Sequence, residues 1–375
     1  MFFYIGQNCP LKSMEQKTDT IFLDKGWKQT NIDNVDYWYK GYSTDCILSE
    51  TIKEIVEGYK PAGKWAVISS TGDIYHPTLR GFPVYANADA KTNIPFDNYS
   101  DVYYDTFLFD RPETLITLEE ASKEINDILQ ENIKNFFKYN TLDKLRVLFS
   151  GGIDTLSLWA ILDNLGYDYD LYIHQPKAKD FFGVKQEYES DLIDLCRQKF
   201  WGYKMTSCFS DENCYLTGFY SERVQLREVT QGHAIANYKN KTLHDLPKNT
   251  DYLYWFLQRQ ANKINNEPKF TTEKEVIDWC NQSVFYDHQM WHIDNNYHFS
   301  PFNDLRITQV MNKLSLDDIV ANALDATIQK NIIRYNRLDF LQILSDYKNE
   351  RDIWSNYRKN FSKINLRSSI KTFVT

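Results

Sequence analysis

The chain has 375 residues, 42% of them hydrophobic and 25% charged, with a net charge of −8 at pH 7. This is the composition of a globular protein long enough for two cores, and its acidic balance argues against a general electrostatic affinity for nucleic acid. No apolar run approaches the roughly 20 residues a membrane span needs, Met1-Phe2-Phe3-Tyr4 lacks the charged start of a signal peptide, and six scattered cysteines without a C-x-x-C pair fit reduced thiols in a cytoplasmic protein.

Residues 1–112 read as short strands separated by turns. Met1–Ile5 and Tyr37–Tyr42 are apolar runs. Lys64–Ser69 meets the turn Thr71-Gly72-Asp73 before Ile74-Tyr75-His76, and Phe82–Ala86 follows Arg80-Gly81. Turn signals at this spacing predict a β-rich unit. Ile52, Ile55 and Val56 predict a helix over 49–59. Past Arg111-Pro112 the pattern changes. Thr117-Leu118-Glu119-Glu120 is a capping-box start to a long amphipathic helix carrying Ala121, Ile125, Leu129, Ile133 and Phe136. A strand at Leu145–Phe149, a helix at 155–165, a strand at Tyr169–Ile173, a helix at 184–199 and a strand at Tyr203–Cys208 then alternate. Such alternation predicts a parallel α/β sheet with its ligand at the C-terminal ends of the strands. From about residue 250 the chain reads mainly helical.

The sharpest signal is Val147-Leu148-Phe149-Ser150-Gly151-Gly152-Ile153-Asp154-Thr155. Strand, tight turn and helix in that order gather backbone N–H groups and a helix N-terminus around one point, a seat for phosphate. Gly151 and Gly152 admit close approach and φ > 0. Ser150 and Thr155 supply hydroxyls, and Asp154 a carboxylate for a Mg²⁺ that bridges phosphates. The bland alternative is a glycine turn in which Asp154 or Thr155 caps the helix.

The string resembles the pyrophosphate loop, Ser-Gly-Gly-x-Asp-Ser/Thr, of the N-type ATP pyrophosphatases, which cleave ATP between its α and β phosphates. Two further stretches are similar to the asparagine synthetase and β-lactam synthetase branch. One is Gly63-Lys64-Trp65-Ala66 with Arg80-Gly81-Phe82-Pro83-Val84-Tyr85; the other is Ser300-Pro301-Phe302-Asn303-Asp304. Arg358-Lys359-Asn360-Phe361 faintly resembles the segment that carries that branch's catalytic lysine. The resemblance implies an α/β protein in two parts. Residues 1–112 would form a degenerate glutaminase-like Ntn-hydrolase domain, a β-rich α+β fold. Residues 113–375 would form a parallel-sheet ATP pyrophosphatase domain with a helical C-terminal part. It implies ATP and Mg²⁺ as cofactors, with Lys359 and Lys363 as catalytic candidates around the departing pyrophosphate.

Two departures matter. The branch's glutaminase nucleophile is a cysteine at the position held here by Phe2, which cannot attack an amide, and Cys9 reads as a buried structural thiol. The branch's second acidic turn has its nearest counterpart in Val229–Asn237, where Gly232 and His233 stand without an acid; His233 could contact phosphate directly. Elsewhere, His288 and His292 have zinc-ligand spacing but no glutamate to activate water. Lys177 and Lys179 fit a solvated loop, and Asp304 either organises its turn or meets an acceptor amine. The leading expectation is an AMP-forming amide or C–N ligase that joins a small-molecule acid to ammonia or a substrate amine. The alternatives are an adenylating enzyme for a nucleobase or nucleotide, and a homologue that binds a nucleotide or partner without turnover.

Overall fold

The computed structural model describes residues 2–78, 84–93, 100–101, 111–140, 145–149, 153–173, 214–218, 221, 224, 271–277 and 297–341. In chain order come β1 (Phe3–Gly6), β2 (Glu15–Gln16), β3 (Ile21–Leu23), β4 (Lys28–Ile32), β5 (Val35–Ser43), a 3-10 turn at Leu48–Glu50, α1 (Ile52–Val56), β6 (Gly63–Ser69), β7 (Ile74–Tyr75), β8 (Tyr85–Ala86), β9 (Ala90–Thr92) and β10 (Ser100–Asp101). They form two sheets, one in the order β10-β8-β9-β1-β3-β2 and one in the order β4-β5-β6-β7. Every pairing in both is antiparallel.

The period of two along β6 explains how the sheets stack. Ala66 and Ile68, with Trp38 of β5, pack on Phe3, Ile21 and Leu23 of the first sheet. Trp65 and Val67, with Tyr37, pack under Leu48, Ile52 and Ile55. The helix expected over 49–59 is therefore shorter, a 3-10 turn and the five residues of α1. Its apolar side chains suffice to cover the outer face of the second sheet.

Between the sheets lies a buried ion pair. Lys40 Nζ donates to Asp24 Oδ2 at 2.9 Å, with the two side chains 5% and 0% exposed. The backbone N–H of Phe2 and Trp27 Nε1 donate to Asp24 Oδ1 at 2.9 and 2.6 Å. Burial pushes the Asp24 carboxyl up, but the surrounding positive charge, Lys40 included, and the Phe2 N–H outweigh it and hold the group below its ordinary value.

The second half begins with α2 (Leu118–Tyr139), followed by β11 (Leu145–Phe149), α3 (Ile153–Asn164), β12 (Tyr169–Ile173), β13 (Cys214–Leu216), β14 (Tyr297–Phe299), α4 (Leu305–Asn312), α5 (Leu316–Asp325) and α6 (Thr327–Asn336). Thr117 and Glu120 cap α2 reciprocally. The four strands form a parallel sheet in the order β12-β11-β13-β14. The helix expected at 184–199 and the strand expected at Tyr203–Cys208 lie outside the described residues. β14 is a strand inside a stretch that reads as mainly helical.

One core joins these elements to the N-terminal sheets. Ala121, Ile125, Leu129, Ile133 and Phe136 of α2 are buried with Leu145, Val147, Leu158, Ile161, Leu216, Phe299 and Tyr42. Tyr42, at the end of β5, sets its ring edge-on to Phe136 and Phe299, with centroids at 5.1 and 5.6 Å. Asn140 Nδ2 donates to the carbonyl of Ser43 beside it, at 2.8 Å. Among the described residues no helix is long and apolar enough to cross a membrane.

Removing one partner of a buried pair leaves the other charge unpaired, a loss of about 3–5 kcal/mol. Lys40→Met is expected to lower unfolding stability at pH 7 by that order. Because the folded-state Asp24 carboxyl sits below its unfolded value, its contribution is present above the unfolded value and is lost as pH falls through the folded one. The deficit of the variant should therefore shrink in acid. Urea titrations at pH 7 and pH 3 check both statements; an equal deficit at both refutes the pairing.

Candidate functional site

In the sheet order β12-β11-β13-β14 the chain leaves β11 to one side for β12 and resumes on the other with β13. The C-terminal ends of β11 and β13 thus flank a topological switch point, where parallel sheets take ligands. Leu145, Arg146 and Val147 lie opposite Cys214, Tyr215 and Leu216, so the two strands run out side by side. β11 leads toward α3, and β13 into Thr217 and Gly218.

α3 starts at Ile153, which puts Asp154 and Thr155 in its first turn and not at the capping position before it. Asp154 is half-buried, whereas Thr155 is 5% exposed. The carbonyl of Asp154 accepts from Ser157 Oγ at 2.7 Å. The helix is apolar all round because it is covered all round. Leu158, Ile161 and Leu162 enter the main core, while Ile153, Leu156 and Ala160 pack with Ala326, Ile333 and Phe340. Its first turn is therefore held on two sides.

Gly218 closes the site from the neighbouring strand. A Cβ there would lie 2.8 Å from Asp154 Cβ, 2.9 Å from the Thr155 backbone nitrogen and 3.0 Å from Thr155 Oγ1. Only glycine lets the end of β13 approach α3 so closely. The hydroxyl of Thr217, 3% exposed, has no hydrogen-bond partner among the described residues. Past the glycine, Ser221 and Val224 are buried, and the backbone N–H groups of both are bonded within the turn.

A third element comes from far along the chain. Gln329 of α6 is fully buried, and its Nε2 donates to Asp154 Oδ1 at 3.2 Å. Its Oε1 is buried without a partner among the described residues. Ala326, between α5 and α6, has φ 53° and ψ 43°, a left-handed conformation that costs a non-glycine residue energy. Asn322 ties that break to the turn after β13. Its Nδ2 donates to the Val224 carbonyl at 2.7 Å, and its Oδ1 accepts from Ile328 N–H at 2.9 Å. Gln329 follows immediately.

Ser150, Gly151, Gly152, Gly232, His233, Lys177, Lys179, His288, His292, Lys359 and Lys363 lie outside the described residues. Asp304 caps α4: its Oδ1 accepts from the Arg306 N–H at 2.8 Å, and its Oδ2 from Asn132 Nδ2 at 3.0 Å. Cys9 corrects the reading of a buried thiol, being half-exposed with Sγ 3.8 Å from the Leu11 carbonyl. Thr217, Gly218 and Gln329 escaped the sequence reading. Cys214-Tyr215-Leu216 before Thr217-Gly218 repeats, in three residues, the strand-then-glycine pattern of Phe149–Gly151, and that was the available signal. Gln329 offered none.

The fit to a nucleotide carrying Mg²⁺ can be judged from these groups. A helix N-terminus favours phosphate, and two buried polar oxygens, on Thr217 and Gln329, lack partners among the described residues. Among the described residues no group of three or more His, Cys, Asp or Glu gathers to hold a metal. Mg²⁺ held through Asp154 would take its remaining ligands from phosphate oxygens and water, as that ion commonly does. Comparison of the chain with protein-family models and with curated proteins finds no match.

Forcing a Cβ against backbone typically costs about 1–3 kcal/mol. Gly218→Ala is expected to lose that much stability in chemical denaturation, whereas Gly58→Ala, where a Cβ meets nothing within 4 Å, should show only the backbone cost of its positive φ. A Gly218→Ala variant as stable as the unaltered chain refutes the close approach.

Proposed function

We propose that the crevice at the ends of β11 and β13 binds ATP with Mg²⁺, and that the protein is an AMP-forming amide or C–N ligase resembling the asparagine and β-lactam synthetases. The observation that carries this reading is the meeting of Asp154 and Thr155, which follow Ser150-Gly151-Gly152 closely in the sequence, with the glycine that ends the neighbouring parallel strand. In it, residues 113–375 are the ATP pyrophosphatase unit and residues 1–112 a glutaminase-like scaffold. The start of β1 presents Phe2 and Phe3, 1% and 0% exposed, and neither is a nucleophile. Ammonia or a substrate amine then takes the place of glutamine.

Each group has a defined task. The N–H groups at the start of α3, with the Ser150 and Thr155 hydroxyls, orient the phosphates, and Asp154 holds the cation that neutralises them. A carboxylate oxygen of the acid attacks the α-phosphorus, the bond to the bridging oxygen breaks, and pyrophosphate leaves. The amine lone pair then attacks the acyl carbon, the C–O bond to AMP breaks, and the amine gives up a proton. Catalysis rests on positioning and on fixed positive charge around the departing pyrophosphate, for which Lys359 and Lys363 remain the candidates. A second reading, nucleotide binding without turnover, is favoured by the sequence of Val229–Asn237, which has Gly232 and His233 but no acid where the branch carries its second one.

With α-labelled ATP, Mg²⁺ and a panel of small acids and amines, labelled AMP and free pyrophosphate are expected. Asp154→Asn should reduce their formation by at least about 100-fold, about 2.7 kcal/mol. ATP binding without AMP under every acceptor favours the second reading; no ATP binding at all refutes both. Glutamine alone is expected to release no ammonia, and release at enzymatic rates overturns the scaffold assignment.

A further inference from the structure

We propose that Gln329 is the positioning residue of this site: its Nε2 fixes the Asp154 carboxylate, and its Oε1 accepts a hydrogen bond from a water in the coordination shell of the nucleotide's Mg²⁺. The inference rests on the Mg-ATP reading given above. A carboxamide carries two N–H donors and an oxygen with two lone pairs. One donor is used on Asp154 Oδ1 at 3.2 Å. The oxygen is buried, in a side chain with no exposed surface, and meets no donor among the described residues. Buried polar atoms of folded proteins are nearly always paired, and an exception calls for a ligand or a water.

Magnesium supplies such a donor. It sheds water reluctantly and is commonly held by one or two carboxylates with several waters retained. The hydrogens of those waters need acceptors. The amide oxygen beside Asp154 provides one.

The backbone is arranged to deliver this side chain. The left-handed Ala326 breaks α5 from α6 three residues earlier, and Asn322 fastens the break to the turn that follows Gly218.

The test uses the full chain with Gln329→Leu and Gln329→Glu. ATP binding is followed by titration calorimetry over a range of Mg²⁺ concentrations and in EDTA, with thermal melting without nucleotide as a check on folding. Gln329→Leu is expected to raise the Mg²⁺ concentration for half-maximal tightening of ATP binding by about 10-fold or more, with affinity in EDTA unchanged. Gln329→Glu, which adds a metal-facing charge, should lower it. A Leu variant with unaltered Mg²⁺ dependence overturns the inference, as does a loss that is equal with and without Mg²⁺, which marks a packing role. If the Leu variant does not fold, the Glu variant decides: an unchanged or raised Mg²⁺ requirement overturns the proposal. Absence of ATP binding by the unaltered chain overturns the nucleotide reading and this inference together, whereas ATP binding with unaltered variants overturns only the inference.

Discussion

The apolar stripe of α2 is the surface on which the rest of the molecule is assembled. Ala121, Ile125, Leu129, Ile133 and Phe136 recur at three- and four-residue intervals and are all buried. They meet the parallel sheet through Leu145 and Val147, α3 through Leu158 and Ile161, and the N-terminal sheets through Tyr42. Burying each larger side chain contributes about 1.5–3 kcal/mol. The ion pairs along the same helix, Lys313 with Glu124 and Arg306 with Glu131, join side chains 35–53% exposed and are worth about 0–1 kcal/mol each. The hydrophobic term decides the arrangement, and the ion pairs trim its edges.

That arrangement has a chemical consequence. With α2 on one side and α6 on the other, α3 cannot move away from the sheet, so its first turn stays against the end of β13. The contact is tight enough to demand glycine at 218 and leaves polar oxygens on Thr217 and Gln329 without partners among the described residues. Among the described residues Trp38 Nε1 and Thr308 Oγ1 are likewise buried without a partner, whereas other polar groups of the core are matched. Asn132 bonds to the Pro301 carbonyl and to Asp304, and Asn331 to Glu119 and Ser122.

The N-terminal sheets follow a different logic. Their strands are short, and β5 and β6 are covered on both faces by side chains of alternating direction. The charge buried between the sheets is balanced on the spot, Lys40 against Asp24, with the Phe2 N–H and the Trp27 indole completing the carboxylate's bonds. This cluster orders the start of β1.

Local patterns carried much of the molecule into view. The capping box at Thr117 and Glu120, the strand at Leu145–Phe149 and the helix after it are each written within about ten neighbouring residues, where propensity, capping and periodicity act. The same locality made Asp154 and Thr155 visible as candidate site residues. β13 was not legible, since three residues mixing Cys, Tyr and Leu make too short a run to show a period. Nor was the partner of Asp154, because Gln329 stands 175 residues away and looks like any polar residue on an amphipathic helix. The sequence by itself determined the strand β11, the helix α3 that follows it and the capped amphipathic α2. Only the tertiary structure decided which glycine and which amide stand beside Asp154, because those meetings depend on the order of strands in a sheet and on a left-handed break at Ala326, and neither leaves a local pattern.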